Sequence, residues 1–127
     1  MKDEYSNPLF LHPSDNPSSI VVSQPLTESN WRSWSNAMRM TLKGKNKLGF
    51  IDGSILEPLV EDSKRPSWKR NNNIIASWIM NSVLKDIAAS ISYTCTTSKI
   101  WNDLKTRFQK KNGPRIFKIK HDLMNLK

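Results

Sequence analysis

Histidines, cysteines and acidic residues are the side chains from which a reaction centre would be built, and this sequence offers few of them. It contains two histidines, His12 and His121, and one cysteine, Cys95. Cys95 lies among threonines, without a neighbouring histidine or cation to activate its thiol, so a buried structural role is the simpler interpretation. A lone histidine on a polar surface is most often simply solvated. We therefore expect no catalytic residue.

Motifs for phosphate, metal or acid–base chemistry are also missing from the sequence. The triplet Asp52-Gly53-Ser54 has the wrong order for an aspartic protease loop and indicates a turn instead. There is no glycine-rich phosphate loop, and the cysteine and histidines are too few and too scattered for a structural zinc site. The sequence thus predicts a protein that is not an enzyme and has no metal, cofactor or small-molecule substrate.

The basic residues carry the clearest chemical signal. The chain has 20 Lys and Arg against 11 Asp and Glu, and residues 31–127 alone hold 19 basic and seven acidic residues. Such an excess attracts polyanions, above all nucleic acid, through the release of counterions. The alternative is that the charges only solvate the outer faces of helices. The candidate nucleic-acid-binding residues are Lys105, Arg107, Lys110, Lys111, Arg115, Lys118 and Lys120.

An extended arm is predicted for residues 1–25. Its four prolines each remove a backbone donor and push the preceding residue towards extended geometry. The triplet Ile20-Val21-Val22 favours a short strand or an apolar plug. Trp31 and Trp34, which follow the arm, are candidates for gripping it.

Apolar spacings of three and four predict helices in the rest of the chain. A first helix carries Trp31, Trp34 and Met38 on one face, with Thr27 as its expected cap. Residues 47–54 are expected to form a helical turn that leads into a short extended piece, with Asp52-Gly53 as a turn signal. A second long helix begins at residues 63–66, and a short helical piece covers 85–91.

Two more helices are predicted towards the C-terminus. Thr97 is the expected cap of a helix that ends before Asn112-Gly113-Pro114. A last helix begins near Ile116 and reaches Lys127 without a stop signal, which indicates a truncated chain.

The predicted fold is all-α: a small bundle of about five helices with an extended N-terminal arm. Residues 1–25 form the arm, and residues 26–127 form the helical domain. Five tryptophans in 127 residues indicate a packed core, because each buried indole removes roughly 200 Å² from water. The predicted core residues are Trp31, Trp34, Met38, Leu48, Phe50, Ile51, Trp78, Ile100, Trp101, Leu104 and Phe108.

The sequence also bears on the cellular compartment. No stretch reaches the roughly 20 apolar residues of a membrane span, and the acidic, proline-containing N-terminus does not have the pattern of a signal peptide. A single cysteine offers no disulfide framework. We therefore expect a cytoplasmic protein without membrane contacts.

Several stretches are similar to one known family. Residues 7–17 (NPLFLHPSDNP), 26–40 (LTESNWRSWSNAMRM) and 45–53 (KNKLGFIDG) resemble the copia-like N-terminal domain of plant retrotransposon Gag polyproteins. Residues 78–82 (WIMNS), 100–108 (IWNDLKTRF) and 115–123 (RIFKIKHDL) look like the start of the Gag capsid region that follows this domain.

The resemblance implies a helical domain related to the N-terminal domain of retroviral capsids, many copies of which self-associate around the element's RNA. The expected partners are therefore weakly bound copies of the chain itself, and RNA. Family members continue into further capsid helices and often a zinc knuckle, so we expect a fragment, a decayed element or a domesticated gene. The alternative function is a basic nucleic-acid-binding or domesticated protein-interaction module.

Overall fold

The computed structural model describes residues 7–19, 21–91 and 96–109, which hold five helices. They are α1 (Trp31–Gly44), α2 (Gly49–Asp52), α3 (Arg65–Asn81), α4 (Lys85–Ala89) and α5 (97–109). No strand occurs within these ranges, which confirms the predicted all-α fold. The helix predicted from Ile116 onwards lies outside the described residues.

The core lies between α1, α3 and α5. The residues that are almost completely buried come mainly from the faces that the spacing predicted: Trp31, Trp34, Met38, Leu42, Phe50, Ile51, Trp68, Ile75, Trp78, Ile79, Ile100, Trp101, Leu104 and Phe108. Leu48 is half-buried and packs against this core. The Asn71 side chain is also fully buried, although it is polar.

Three indoles join α1 to α5. The ring centroids of Trp31 and Trp34 lie 5.7 Å apart, and each lies 5.3–5.6 Å from the centroid of Trp101. Aromatic pairs at these separations contribute about 0.5–1.5 kcal/mol beyond the burial of their area. The indole cluster therefore fixes how the two helices sit against each other.

The first helix begins three residues later than its cap prediction implied. Thr27 does not cap α1, which starts at Trp31 with Asn30 before it. The Asn30 side chain faces backwards, accepting the Thr27 N–H at 2.7 Å and donating to the Pro25 carbonyl. The backbone of Leu26 is already held by Ser82 and Leu84 through an isolated parallel bridge, so the chain needs a turn before helix can start.

The last described helix shows a similar shift of one residue. Thr96, not Thr97, caps α5, because its hydroxyl accepts the Lys99 N–H at 3.4 Å. Thr97 is instead fully buried, and its N–H and hydroxyl both bond to Asn72 of α3, each at 2.9 Å. Thr97, which the local pattern favoured as the cap, therefore makes a tertiary contact with α3 instead.

The Asp-Gly turn was predicted correctly, and it closes α2, but the short extended piece expected there is wrong, because Gly49–Asp52 are helical. Gly53 has φ +82°, a left-handed conformation that ends the helix and that other residues adopt only with strain. The preceding residues Phe50 and Ile51 are buried in the core.

Candidate assembly and nucleic-acid surfaces

The N-terminal arm lies against the helical body and is held there by side chains that bond to its backbone. We call the donors Lys47, Asn71, Trp78 and Asn81 the arm clasp. They donate to carbonyls of Pro8, Leu9, Phe10, Asn16 and Pro17, at donor–acceptor distances of 2.5–2.9 Å. Apolar arm residues, including Leu9, Leu11, Val21 and Val22, pack on the core as well.

Lys47 is the most unusual member of the arm clasp, because it is a lysine with only 1% of its surface exposed. Its Nζ donates to the carbonyls of Pro8 at 2.6 Å and Phe10 at 2.5 Å. Burial lowers the pKa of the Lys47 ammonium from 10.5 to about 8, although nearby Asp15 raises it. The arm therefore covers a cation that water would otherwise solvate.

A second anchor of the arm combines an ion pair and an aromatic ring. Asp15, whose side chain is only 6% exposed, pairs with Lys45 Nζ at 3.0 Å. The same Nζ lies 5.2 Å from the ring centroid of Trp78, within the range of a cation–π interaction. Trp78 also donates its Nε1–H to the Asn16 carbonyl at 2.7 Å. The ion pair with Lys45 and the hydrogen bond from Trp78 thus hold two adjacent arm residues, Asp15 and Asn16.

The tryptophans expected to grip the arm do not supply these hydrogen bonds. Trp34 donates its Nε1–H to the Ser82 carbonyl at 2.8 Å, and Trp31 packs in the indole cluster. Among the described residues the indole donor to the arm is Trp78 of α3. The reason is geometric: α1 turns its tryptophan face towards α5, while the arm runs along α3.

A basic cleft opens between α1, α2 and α5. It encloses about 850 Å³ and is bordered by Arg32, Arg39 and Lys105, with Asp52 as its acidic residue. Its apolar lining comes from Trp31, Leu48, Ile51 and Trp101. Arg32 and Arg39 are seven positions apart on α1 and therefore share a face, which α5 extends with Lys105. In the described part of the chain none of the three cations forms an ion pair.

The candidate nucleic-acid-binding residues have different positions. Lys105 lines the basic cleft and is exposed. Arg107 instead binds Asp103 through two contacts of 3.0 Å and also donates to Ser90, so it ties α5 to the end of α4. The others lie outside the described residues: Lys110, Lys111, Arg115, Lys118 and Lys120.

Within the described ranges, the residues considered for catalysis do not form a catalytic centre. His12 stabilises an arm turn. Its ring Nδ1 lies 2.9 Å from Ser14 Oγ, and its backbone N–H donates to the Asp15 carboxylate. Cys95 and His121 lie outside the described residues. In the same ranges, no group of three or more His, Cys, Asp or Glu is placed to hold a metal ion. The helices found there are all too short or too polar to span a membrane.

Sequence reasoning missed three members of the arm clasp, Lys47, Asn71 and Asn81, and predicted Trp78 only as a core residue. Asn71 did carry a signal: it stands three residues after Trp68 and four before Ile75, so it interrupts the buried stripe of α3. A polar residue on such a stripe needs a partner, and its Nδ2 has two, the carbonyls of Leu9 and Ser67. Lys47 had no such signal, because its acceptors lie 37 and 39 positions away.

These features define a small helical domain with an appended arm and a basic cleft. A family model described as the Gag-polypeptide of LTR copia-type matches residues 12–59. The match runs from the arm through α1 and α2, so it includes both Asp15 and Lys45 and supports a copia-type Gag region there. The downstream resemblance to the Gag capsid region lies beyond the match and stays a prediction. No curated protein and no solved structure matches the chain.

Proposed function

We propose that this protein is a non-enzymatic structural module of the copia-type Gag kind that self-associates into larger assemblies. The observation that carries the proposal is the match over residues 12–59, since Gag polypeptides form a structural, non-catalytic family. The fold is compatible with this role, because its buried interior is apolar and aromatic.

Weak contacts are sufficient for such a role. When many copies are linked in one assembly, each additional contact forms at a high effective concentration, so modest single interfaces give stable particles. The arm clasp contributes by keeping the arm on the body and presenting a defined surface to other copies.

The proposal is tested by sedimentation velocity of the full chain over a concentration series, with and without single-stranded RNA. We expect the weight-average sedimentation coefficient to rise with concentration, and to rise further with RNA. A chain that remains strictly monomeric under both conditions overturns the proposal.

A second candidate function is sequence-independent RNA binding, and the charge distribution favours it. Residues 99–127 contain nine basic and two acidic residues, and residues 31–127 carry a formal charge of +12. Phosphate contacts of this kind weaken steeply as salt rises.

Charge reversal with a matched control tests RNA binding. The triple variant Lys110→Glu, Lys111→Glu, Arg115→Glu should bind single-stranded RNA more weakly and with a flatter salt dependence in fluorescence anisotropy. The control triple variant reverses Lys64, Lys69 and Arg70, exposed cations at α3 that change the net charge equally. Equal losses in both variants would show that net charge alone acts, and unchanged binding in the first would remove the candidate.

A further inference from the structure

The loop between α2 and α3 presents apolar side chains to solvent. Leu56, Leu59 and Val60 are 75–78% exposed, although they lie within five consecutive positions. Single exposed apolar residues are normal on protein surfaces, but several together mark an interaction site. We call residues 54–62 the acidic loop, because they hold three of the chain's eleven acidic residues and none of its twenty cations.

The acidic loop is held in a defined shape by α3. Arg65 pairs with Glu57 at 2.7 Å and donates to the Pro58 carbonyl at 3.0 Å. Trp68 donates its Nε1–H to the Ile55 carbonyl at 3.1 Å. A loop that is already ordered loses little conformational entropy when it binds, so it can dock with useful affinity.

The basic cleft has the complementary chemistry. Arg32, Arg39 and Lys105 border an apolar lining, whereas in the acidic loop Glu61 and Asp62 directly follow the exposed Leu59 and Val60. No residue of the acidic loop lines the cleft of its own chain. Its bonds to Arg65 and Trp68 hold it against α3, so the loop of a second copy is the occupant that this charge pattern fits.

We infer that the acidic loop of one copy docks into the basic cleft of the next copy. This inference rests on the self-association proposed above and names its interface. The two surfaces are different, so the contact is head-to-tail, and the copies at the two ends of an open assembly keep a free loop and a free cleft for further growth. A volume of about 850 Å³ is in the range of pockets that accept several side chains, such as Leu59 and Val60 with their neighbours.

Two variants of the full chain separate the two halves of the interface. The loop variant carries Leu59→Ser, Val60→Ser and Glu61→Lys, and the cleft variant carries Arg39→Glu and Lys105→Glu. The control variant, Lys69→Glu with Arg70→Glu, makes the same charge change as the cleft variant on exposed positions of α3. All substituted positions are exposed, and urea unfolding followed by tryptophan fluorescence checks that each variant folds.

Sedimentation velocity then gives distinct outcomes. Each variant alone should associate at least about tenfold more weakly than the unmodified chain, while the control should not change. An equimolar mixture of the two variants should form a heterodimer and stop there, because only one intact loop and one intact cleft remain to pair. The unmodified chain should continue to larger species.

Other outcomes overturn the inference. If the unmodified chain associates and both variants associate equally well, the interface lies elsewhere but the proposed function stands. If a mixture of the variants stays monomeric, the loop and cleft do not bind each other. If the cleft variant loses only RNA-dependent association, the cleft binds RNA instead. If the unmodified chain never associates, the inference falls together with the proposed function.

Discussion

Replacing Lys47 by methionine is expected to remove a pH-dependent part of the protein's stability. In the folded chain burial lowers the pKa of Lys47 to about 8, whereas the unfolded chain restores the ordinary value of 10.5. Between these two values the unfolded chain binds more protons than the folded chain. Stability contributed by this group therefore rises with pH across that window and is lowest below pH 8.

The magnitude follows from the two pKa values. A difference of one pKa unit corresponds to 1.36 kcal/mol, so titration between pH 7 and pH 10 should raise the free energy of unfolding by roughly 2–3 kcal/mol. The hydrogen bonds to Pro8 and Phe10 survive deprotonation, because a neutral amine still has two N–H donors. Lys47→Met removes this rise, whatever its effect at neutral pH.

Urea unfolding monitored by tryptophan fluorescence at pH 7, 8, 9 and 10 measures the effect. For a domain of this size the difference between the two proteins should shift the urea midpoint by roughly 1–2 M across the series. Lys69→Met is the control, since Lys69 is exposed on α3 and its removal should leave the pH dependence intact. If the free energy of unfolding changes with pH in parallel for the unmodified chain and Lys47→Met, then Lys47 is not a buried cation.

Three further substitutions test the packing. Leu104→Ala, at a fully buried position of α5, should lower the free energy of unfolding by about 2–5 kcal/mol, whereas Lys105→Ala next to it should change it by less than about 0.5 kcal/mol. Trp78→Phe should cost about 1–2 kcal/mol, because the Asn16 carbonyl loses its indole donor; an unchanged urea midpoint would count against that bond. Gly53→Ala should cost about 1–2 kcal/mol for its left-handed backbone, and a neutral result would contradict that conformation.

The elements that the sequence predicted well are those whose signal is local. The stripe of Trp31, Trp34 and Met38 repeats at three and four positions, which is sufficient to place the buried face of α1. The turn at Gly53 was equally clear, because an Asp-Gly pair favours a left-handed residue.

The two wrong cap predictions concern residues whose local structure is set by contacts between distant parts of the chain. Thr27 and Thr97 both have the chemistry of a helix cap, but a turn fixed by the Leu26–Val83 bridge displaces the first and Asn72 binds the second. No local pattern contains such information.

The candidate surfaces were difficult to predict for the same reason, because they bring together residues that are distant in the chain. Arg32 and Arg39 could be placed on one face of α1 from their spacing, but nothing in the sequence indicated that Lys105 would join them across the cleft. The burial of Lys47 could not be predicted from the sequence either, since it arises only when the arm folds over this residue.

The arm clasp has a consequence for how this segment can drift during evolution. Apart from Asp15 and the apolar residues that pack on the core, the body holds the arm by hydrogen bonds to main-chain oxygens, which every amino acid possesses. Proline keeps its carbonyl although it lacks an N–H, and both Pro8 and Pro17 serve as acceptors here. The arm residues that supply only a carbonyl are therefore free to change while the path of the chain is preserved, and at those positions related arms should share a shape more faithfully than a sequence.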